Sequence, residues 1–280
     1  MSVAAGTSVR DALQGAITAI AAAGAQTPRL DAEVLLADVL GVGRERLVLD
    51  SELEVSGAAV PAFRAAVRRR SVLREPVAYI TGRRAFRQIE LRVDARVLIP
   101  RPETELLVEA GLDLARSASV LDVCTGSGAV ALALKQERPD LEVWGSDLSD
   151  AALEVARDNG ERLGLEVGWL HADLLAGVPD RFDAVLANPP YVRIDEHARL
   201  APEVARHEPS LALLAGADGL ASIRPLLAQA GAMRRVRSTA VEVGDGQAAA
   251  VAELARAAGF AAVDVRRDLA GIERLVWASR

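Results

Sequence analysis

Val120-Leu121-Asp122-Val123-Cys124-Thr125-Gly126-Ser127-Gly128-Ala129-Val130 runs from an apolar strand through a tight turn into the start of a helix. Glycines at 126 and 128 permit positive φ and let the backbone approach a ligand closely. Gly126, Gly128 and Ala131 satisfy the G-x-G-x-x-G/A spacing of nucleotide-binding turns, and Asp147 lies about 20 residues further on, where its carboxylate can accept both hydroxyls of a ribose. In open α/β sheets such a turn sits beyond the carboxyl end of a strand, where ligands bind. Taken alone, the turn does not separate NAD from S-adenosylmethionine, because both carry that ribose.

The pattern around this turn sets the fold class. Strands are expected at 119–123, 141–146, 167–171, 183–187, 238–243, 260–266 and 273–278, and helices at 128–137, 150–163, 219–234 and 247–258. Alternation of this kind predicts an α/β fold with a parallel sheet and helices on both faces. No helix separates the last two strands, so one edge is expected to be antiparallel.

Two carboxylates favour one ligand class. Asp122 lies beside the turn, where it would repel a pyrophosphate but attract the sulfonium and ammonium of S-adenosylmethionine; its simpler reading is a carboxylate that caps the turn. Asp173 ends the third strand and can accept a hydrogen bond from an adenine amino group, with Leu174 packing on the ring face.

The fourth strand, Asp183-Ala184-Val185-Leu186-Ala187, delivers Asn188-Pro189-Pro190-Tyr191 to the same end of the sheet. An amide or aromatic amine nitrogen is a poor nucleophile because its lone pair is delocalised. Holding the NH2 group by its two hydrogens favours a pyramidal nitrogen and aims the lone pair at a methyl donor. The Asn188 side-chain oxygen and the Pro189 carbonyl supply two such acceptors, and catalysis then becomes positioning and electrostatics. Prolines contribute carbonyls without competing N–H donors, and Tyr191 offers a flat face to a planar group.

Upstream, residues 1–75 read as a small helical domain. Ser8 can cap a helix whose Val9, Leu13, Ile17 and Ile20 form one stripe, ended by Gly24. A second helix starts near Pro28, buries Val34, Leu35, Val39 and Leu40, and stops at Gly41. A third runs from about Val60 to Leu73 and carries Arg68, Arg69 and Arg70. That triplet reads first as a solvated helix end, with contact to an acidic or RNA-bearing partner as the alternative. Residues 76–100 alternate apolar and polar side chains and read as an antiparallel ribbon linking two domains. Pro100 and Pro102 then open a helix from about Glu103 to Ala115.

Composition narrows the function class. The 280 residues are 51% hydrophobic, enough for a sizeable core, and the formal net charge is −6. Nonspecific grip on naked nucleic acid needs a basic surface, so the charge argues against it. Cys124 is the only cysteine, which excludes an intramolecular disulfide and fits a cytoplasmic location. No signal peptide and no membrane span is expected.

Several segments together resemble the PrmC/HemK family, the glutamine-N5 methyltransferases of peptide chain release factors. They are Arg74-Glu75-Pro76-Val77-Ala78-Tyr79-Ile80-Thr81-Gly82, Val97-Leu98-Ile99-Pro100-Arg101-Pro102-Glu103-Thr104-Glu105, the glycine turn, Asn188-Pro189-Pro190-Tyr191, and Glu208-Pro209-Ser210-Leu211-Ala212-Leu213 with Gly216, Asp218 and Gly219. The resemblance covers nearly the whole chain. It implies a class I, Rossmann-like, seven-stranded methyltransferase domain over 101–280, preceded by a 76–100 linker and a 1–75 substrate-recognition domain. It implies S-adenosyl-L-methionine as cofactor, S-adenosyl-L-homocysteine as product, and no metal. The implied substrate is the glutamine of the release factors' Gly-Gly-Gln loop.

By the same resemblance Cys124, Thr125, Gly126, Ser127, Gly128, Asp147, Asp173 or its neighbour Leu174, and Asn188 contact the cofactor, with Asp122 added by the charge argument above, and Asn188, Pro189, Pro190 and Tyr191 contact the glutamine. The family has glycine where this chain has Cys124, and a cysteine there is expected to impose an ordinary φ and to narrow the loop. A thiol nucleophile is not expected, since no histidine lies nearby in sequence. An adenine-N6 nucleic-acid methyltransferase is the alternative that uses the same tetrapeptide; it needs a basic face for a flipped base. An NAD-dependent oxidoreductase would leave the tetrapeptide idle, and a non-catalytic binding module would leave every acceptor idle.

Overall fold

The computed structural model describes residues 6–50 and 53–280. The chain forms two compact units, Met1–Gly82 with Ala201–His207, and Arg83–Leu200 with Glu208–Arg280.

The first unit is helical. Ser8 caps the helix Val9–Ala22 by accepting the Asp11 N–H at 3.1 Å. Pro28 starts the helix Pro28–Leu40, and Gly41, at φ 65°, ends it. The buried face of this second helix differs from the expected stripe. Ala32, Leu35, Leu36 and Ala37 are buried, whereas Val34, Val39 and Leu40 are only partly so. Asp31 and Glu33 are buried on the same helix because arginines reach them.

Arg70 is the main one. It lies on the helix Ala59–Ser71, on the face of Val60, Phe63 and Ala66, and it is 6% exposed. It bonds Asp31 at 2.6 Å and Glu203 at 2.5 Å, and Arg74 also reaches Glu203 at 2.7 Å. The arginine triplet is therefore not a solvated helix end throughout, for Arg69 forks onto Glu75 at 2.7 and 2.5 Å. Spacing along the chain hides this, since Glu203 stands 133 residues from Arg70.

The antiparallel ribbon is shorter than the 76–100 stretch. Pro76 precedes a short helix Val77–Thr81, which Gly82 ends at φ 72°. The paired strands are Arg83–Phe86 and Ile89–Arg92, and they belong to the second unit. Proline cannot continue a ladder through its missing N–H, so the segment before 83 turns helical. After the hairpin, Pro102–Thr104 forms a 3₁₀ turn that leads into the helix Glu105–Leu112.

The second unit is built on a seven-stranded sheet: β1 (Ser119–Val123), β2 (Glu142–Asp147), β3 (Gly168–His171), β4 (Ala184–Ala187), β5 (Ser238–Glu242), β6 (Ala262–Arg267) and β7 (Glu273–Ser279). Their spatial order is β6-β7-β5-β4-β1-β2-β3. β1 pairs in parallel with both β2 and β4, while β7 runs antiparallel between β5 and β6. Every residue of β1, β4 and β5 is buried, as expected of strands covered on both faces. The strand order reverses between β1 and β4, and a crevice opens at such a switch point, beyond the carboxyl ends of the strands. The glycine turn leaves β1 and the tetrapeptide leaves β4, so topology sets both motifs on that crevice.

Candidate active site

The turn after β1 is held from within. Cys124, Gly126 and Gly128 take φ of 59°, 56° and 81°, so every second residue is left-handed. Such alternation makes successive backbone N–H groups converge on one side. The Thr125 N–H donates to the Ser146 carbonyl on β2 at 2.9 Å, and the Thr125 hydroxyl donates to Asp122 Oδ2 at 2.5 Å. Gly128 has a second reason to be glycine, since a Cβ there would stand 3.0 Å from both Leu132 and Trp169.

Asp122 lines the cleft, but its Oδ2 also accepts the Ala131 N–H at 3.2 Å, so it braces the turn and the first helical residues. Burial pushes its carboxyl up to about 7, against the pull of the Thr125 and Ala131 hydrogen bonds. Asp147 accepts the Gly126 N–H at 2.9 Å through Oδ2 and the Ser149 N–H at 2.9 Å through Oδ1. Each of its oxygens keeps a second lone pair, and a diol can take both. Burial raises its pKa, opposed chiefly by the backbone donors of Ser149 and Gly126.

Cys124 departs from expectation. It does not impose an ordinary φ; the turn imposes the left-handed conformation on it. That conformation costs an L side chain roughly 1–2 kcal/mol, whereas glycine adopts it freely. Its thiol pKa is raised by burial and by the Asp147, Asp122 and Asp173 carboxylates, so it stays protonated and is no nucleophile. Cys124→Gly removes the strain but frees the unfolded chain by about 0.5–1 kcal/mol. The expected net gain is at most about 1.5 kcal/mol, read as a higher midpoint in thermal unfolding; a lower midpoint would mean that the packing of the thiol outweighs the strain.

These residues line a cavity of about 390 Å³, within the usual size of a small-molecule site. Thr125, Ser127, Asp147, Asp173, Leu174, Asn188 and Pro190 line it, together with Pro100, Thr104, Leu211 and Gln229. Leu174 is left-handed at φ 54°, a strained conformation on the cavity wall. The acceptor set fits the polar groups of S-adenosylmethionine: Asp147 for the ribose, Asp173 for the adenine amine, and a carboxylate-rich turn for the cationic end.

The tetrapeptide divides its residues. Asn188 and Pro190 line the cavity, Pro189 is buried, and Tyr191 is partly buried between Glu242 and Gln247. The Asn188 Nδ2 donates to Thr104 Oγ1 at 3.1 Å. The Tyr191 hydroxyl donates to Glu242 Oε1 at 3.4 Å, and the Tyr191 carbonyl accepts from Gln247 Nε2 at 3.0 Å. Beyond it, Val192 pairs with Leu213 and Ala215 through backbone hydrogen bonds, which anchors the following segment.

Sequence reasoning missed several supports. Thr104, Glu242 and Gln247 hold the tetrapeptide. Asn159, fully buried, donates to the Ser127 carbonyl at 3.0 Å and exchanges hydrogen bonds with the backbone of Arg92. Glu208 accepts the Ile99 N–H at 3.2 Å and Arg101 at 2.5 Å, which joins two of the segments quoted for the family resemblance. A polar residue inside an apolar helical face, as with Asn159, was the available signal; for Thr104 and Glu242 no local pattern existed.

Comparison with known proteins shows what the chain is similar to. Residues 11–82 match the family model described as "PrmC N-terminal domain", and residues 102–207 match "Methyltransferase small domain". A release factor glutamine methyltransferase from Deinococcus radiodurans is 40% identical over 97% of this chain and 98% of its own length. One from Mycolicibacterium smegmatis is 42% identical, covering 98% of each chain. Among solved structures, the hMettl16 catalytic domain in complex with a MAT2A 3'UTR hairpin aligns with a TM-score of 0.56 at 16% identity, over 78% of this chain and 81% of that one. A methyltransferase from Pyrococcus furiosus aligns at 0.52 and 16%, over 68% of this chain and 87% of that one. Likeness at that identity concerns the fold alone.

Fold, cleft and relatives together define an S-adenosylmethionine-dependent methyltransferase. Near-complete coverage at these identities narrows it further: the chain belongs to the release factor glutamine methyltransferase family.

Proposed function

We propose that this cleft methylates the side-chain amide nitrogen (N5) of the glutamine in the Gly-Gly-Gln loop of peptide chain release factors, and so supports translation termination. S-adenosylmethionine supplies an already activated methyl group, so the reaction asks for no metal. The chain's own part is to hold and orient. Asp147 takes the ribose hydroxyls, Asp173 with Leu174 takes the adenine, and Asp122 with the 124–128 turn takes the amino-acid end. Asn188 Oδ1 and the Pro189 carbonyl accept the two hydrogens of the glutamine NH2 group, and Pro190 and Tyr191 shape the slot around it.

The observation that carries this reading is the Asn188–Thr104 hydrogen bond of 3.1 Å. It occupies the amide nitrogen of Asn188 and leaves its oxygen as the acceptor. The decisive experiment incubates purified release factor with this protein and S-adenosylmethionine and maps the product by mass spectrometry. One added methyl on the Gly-Gly-Gln glutamine supports the proposal, and an unmodified glutamine sinks it.

The adenine-N6 alternative is not favoured. It needs a basic surface, and the net charge is −6. The helical unit is the part proposed to dock the release factor, in a cytoplasmic setting. Among the described residues, no helix is long and apolar enough to cross a membrane.

Asp147→Ala is expected to weaken S-adenosylmethionine binding by roughly 1.5–3 kcal/mol, the scale of lost charge-assisted hydrogen bonds. Calorimetric titration checks this, and an unchanged dissociation constant would remove Asp147 from the site.

A further inference from the structure

Gly219 and Gln247 have no place among the groups assigned above to cofactor or substrate, yet both close on the tetrapeptide. Gln247 directly precedes the helix Ala248–Ala257 and is half-buried. Its Oε1 accepts the Gly244 N–H at 2.8 Å, and its Nε2 donates to the Tyr191 carbonyl at 3.0 Å. An N–H only donates and a carbonyl only accepts, so these two partners fix the glutamine amide in one orientation. Gly219 lies against the same bond. A Cβ there would collide with both the Tyr191 carbonyl oxygen and Gln247 Nε2, and its φ of 75° favours glycine as well. A Cβ on Gly244 would stand 2.9 Å from Gln247 Oε1 and 3.2 Å from the Tyr191 ring. Two glycines thus make room for one glutamine side chain.

What this clasp does follows from the stiffness of the segment it holds. The rings of Pro189 and Pro190 fix φ. Asn188 and Pro189 each precede a proline, which confines both to extended backbone. Few soft torsions therefore separate the Pro189 carbonyl from Tyr191, and a hold at one end is felt at the other. The leading end is fixed by β4, whose Ala187 pairs with Val241 of β5, and by the Asn188–Thr104 bond. At the trailing end the Tyr191 hydroxyl reaches Glu242, and the Val192 N–H donates to the Leu213 carbonyl at 2.8 Å. The Gln247 bond grips the main chain of Tyr191 itself, and so sets the plane of the peptide group that follows it.

We infer that Gln247 is a positioning residue for methyl transfer: by clasping the Tyr191 carbonyl it fixes where the Pro189 carbonyl and the Asn188 oxygen stand. The inference rests on the reading that those two oxygens hold the glutamine NH2 group. Asp147, Asp173 and the 124–128 turn hold the cofactor from other strands, so releasing the clasp acts on turnover and spares cofactor affinity. The two acceptors then drift by a fraction of the roughly 1 Å displacement that costs on the order of 100-fold in rate. The loss in kcat is accordingly about 10- to 30-fold.

The test uses the full chain, a purified release factor and radiolabelled S-adenosylmethionine. Gln247→Glu keeps the shape and the acceptor for Gly244 but turns a carboxylate oxygen on the Tyr191 carbonyl. Gln247→Met keeps the length and removes the amide. Both should lower kcat about 10- to 30-fold, with the KM for either substrate and the calorimetric cofactor affinity within about twofold of the parent. If the glutamate variant does not fold, as thermal unfolding would show, the methionine variant decides. A second readout separates positioning from loosened packing. Groups that act as one unit are strongly non-additive, so in an Asn188→Ala background the same substitutions should cost only about threefold or less. A folded variant with kcat within about twofold of the parent overturns the inference, as does the full loss repeated in the Asn188→Ala background. A chain that folds with neither substitution makes Gln247 structural and overturns it too. Absence of any methyl on the release factor with the unaltered chain would instead overturn the functional reading, and this inference with it.

Discussion

Asn188→Ala is expected to slow methyl transfer about 100- to 1,000-fold while cofactor affinity stays within about twofold. The magnitude follows from what the side chain does. An amide nitrogen holds its lone pair in conjugation with the carbonyl, and an acceptor on its hydrogen helps withdraw it from that conjugation. One preorganised polar contact aimed at the reacting centre, in a cleft shielded from water, is worth about two to three orders of magnitude in rate. The loss falls on the chemical step because the acceptor is worth more to the transition state than to the bound substrate. Cofactor affinity is spared because Asp147, Asp173 and the 124–128 turn stand on other strands. A radiolabelled methyl assay with calorimetry separates the two effects, and normal turnover in the variant would refute the proposed chemistry.

The sheet was legible because its cause is local. Buried strands such as Val120–Val123 and Ala184–Ala187 are short apolar runs bounded by turn residues, and all seven strands fall within two residues of the expected ranges. The place of the cleft was legible too, since the glycine turn and the tetrapeptide both follow strands that neighbour one another at the sheet's switch point. Polar partners across long sequence distances were not legible. Thr104 and Asn188 are 84 residues apart, Tyr191 and Glu242 are 51 apart, and hydrophobic periodicity carries no information on either pair. Cys124 shows a third kind of limit. Its residue type argued for ordinary backbone, but hydrogen bonds from the neighbouring Thr125 fix the turn and override the side chain's preference.

The same blindness to distant partners hid Arg70, whose replacement carries the largest stability effect expected here. Arg70→Ala should destabilise the helical unit by about 3–5 kcal/mol, because it leaves two carboxylates in place with their shared cation gone. Asp31 is 6% exposed, and its Oδ2 stands 2.6 Å from Arg70 Nε. Glu203 keeps Arg74, so Asp31 is the group left worst off. Burial by itself would raise the Glu203 pKa, yet Arg70 and Arg74 hold it below its ordinary value of 4.5. A carboxyl lowered in this way stabilises the fold above about 4.5, and that contribution disappears as pH falls below it. Acid should therefore erode the network first in the unaltered chain, and Arg70→Ala should show a shallower loss over the same range. Urea unfolding of the full chain, followed at neutral and acid pH, measures both. Replacing the pair together, Arg70→Met with Asp31→Leu, should recover much of the loss, since a well-packed apolar pair can match a buried ion pair. A single variant within about 1 kcal/mol of the parent would show that water reaches Asp31 and that the network is not what fixes residues 201–207 to the helical unit.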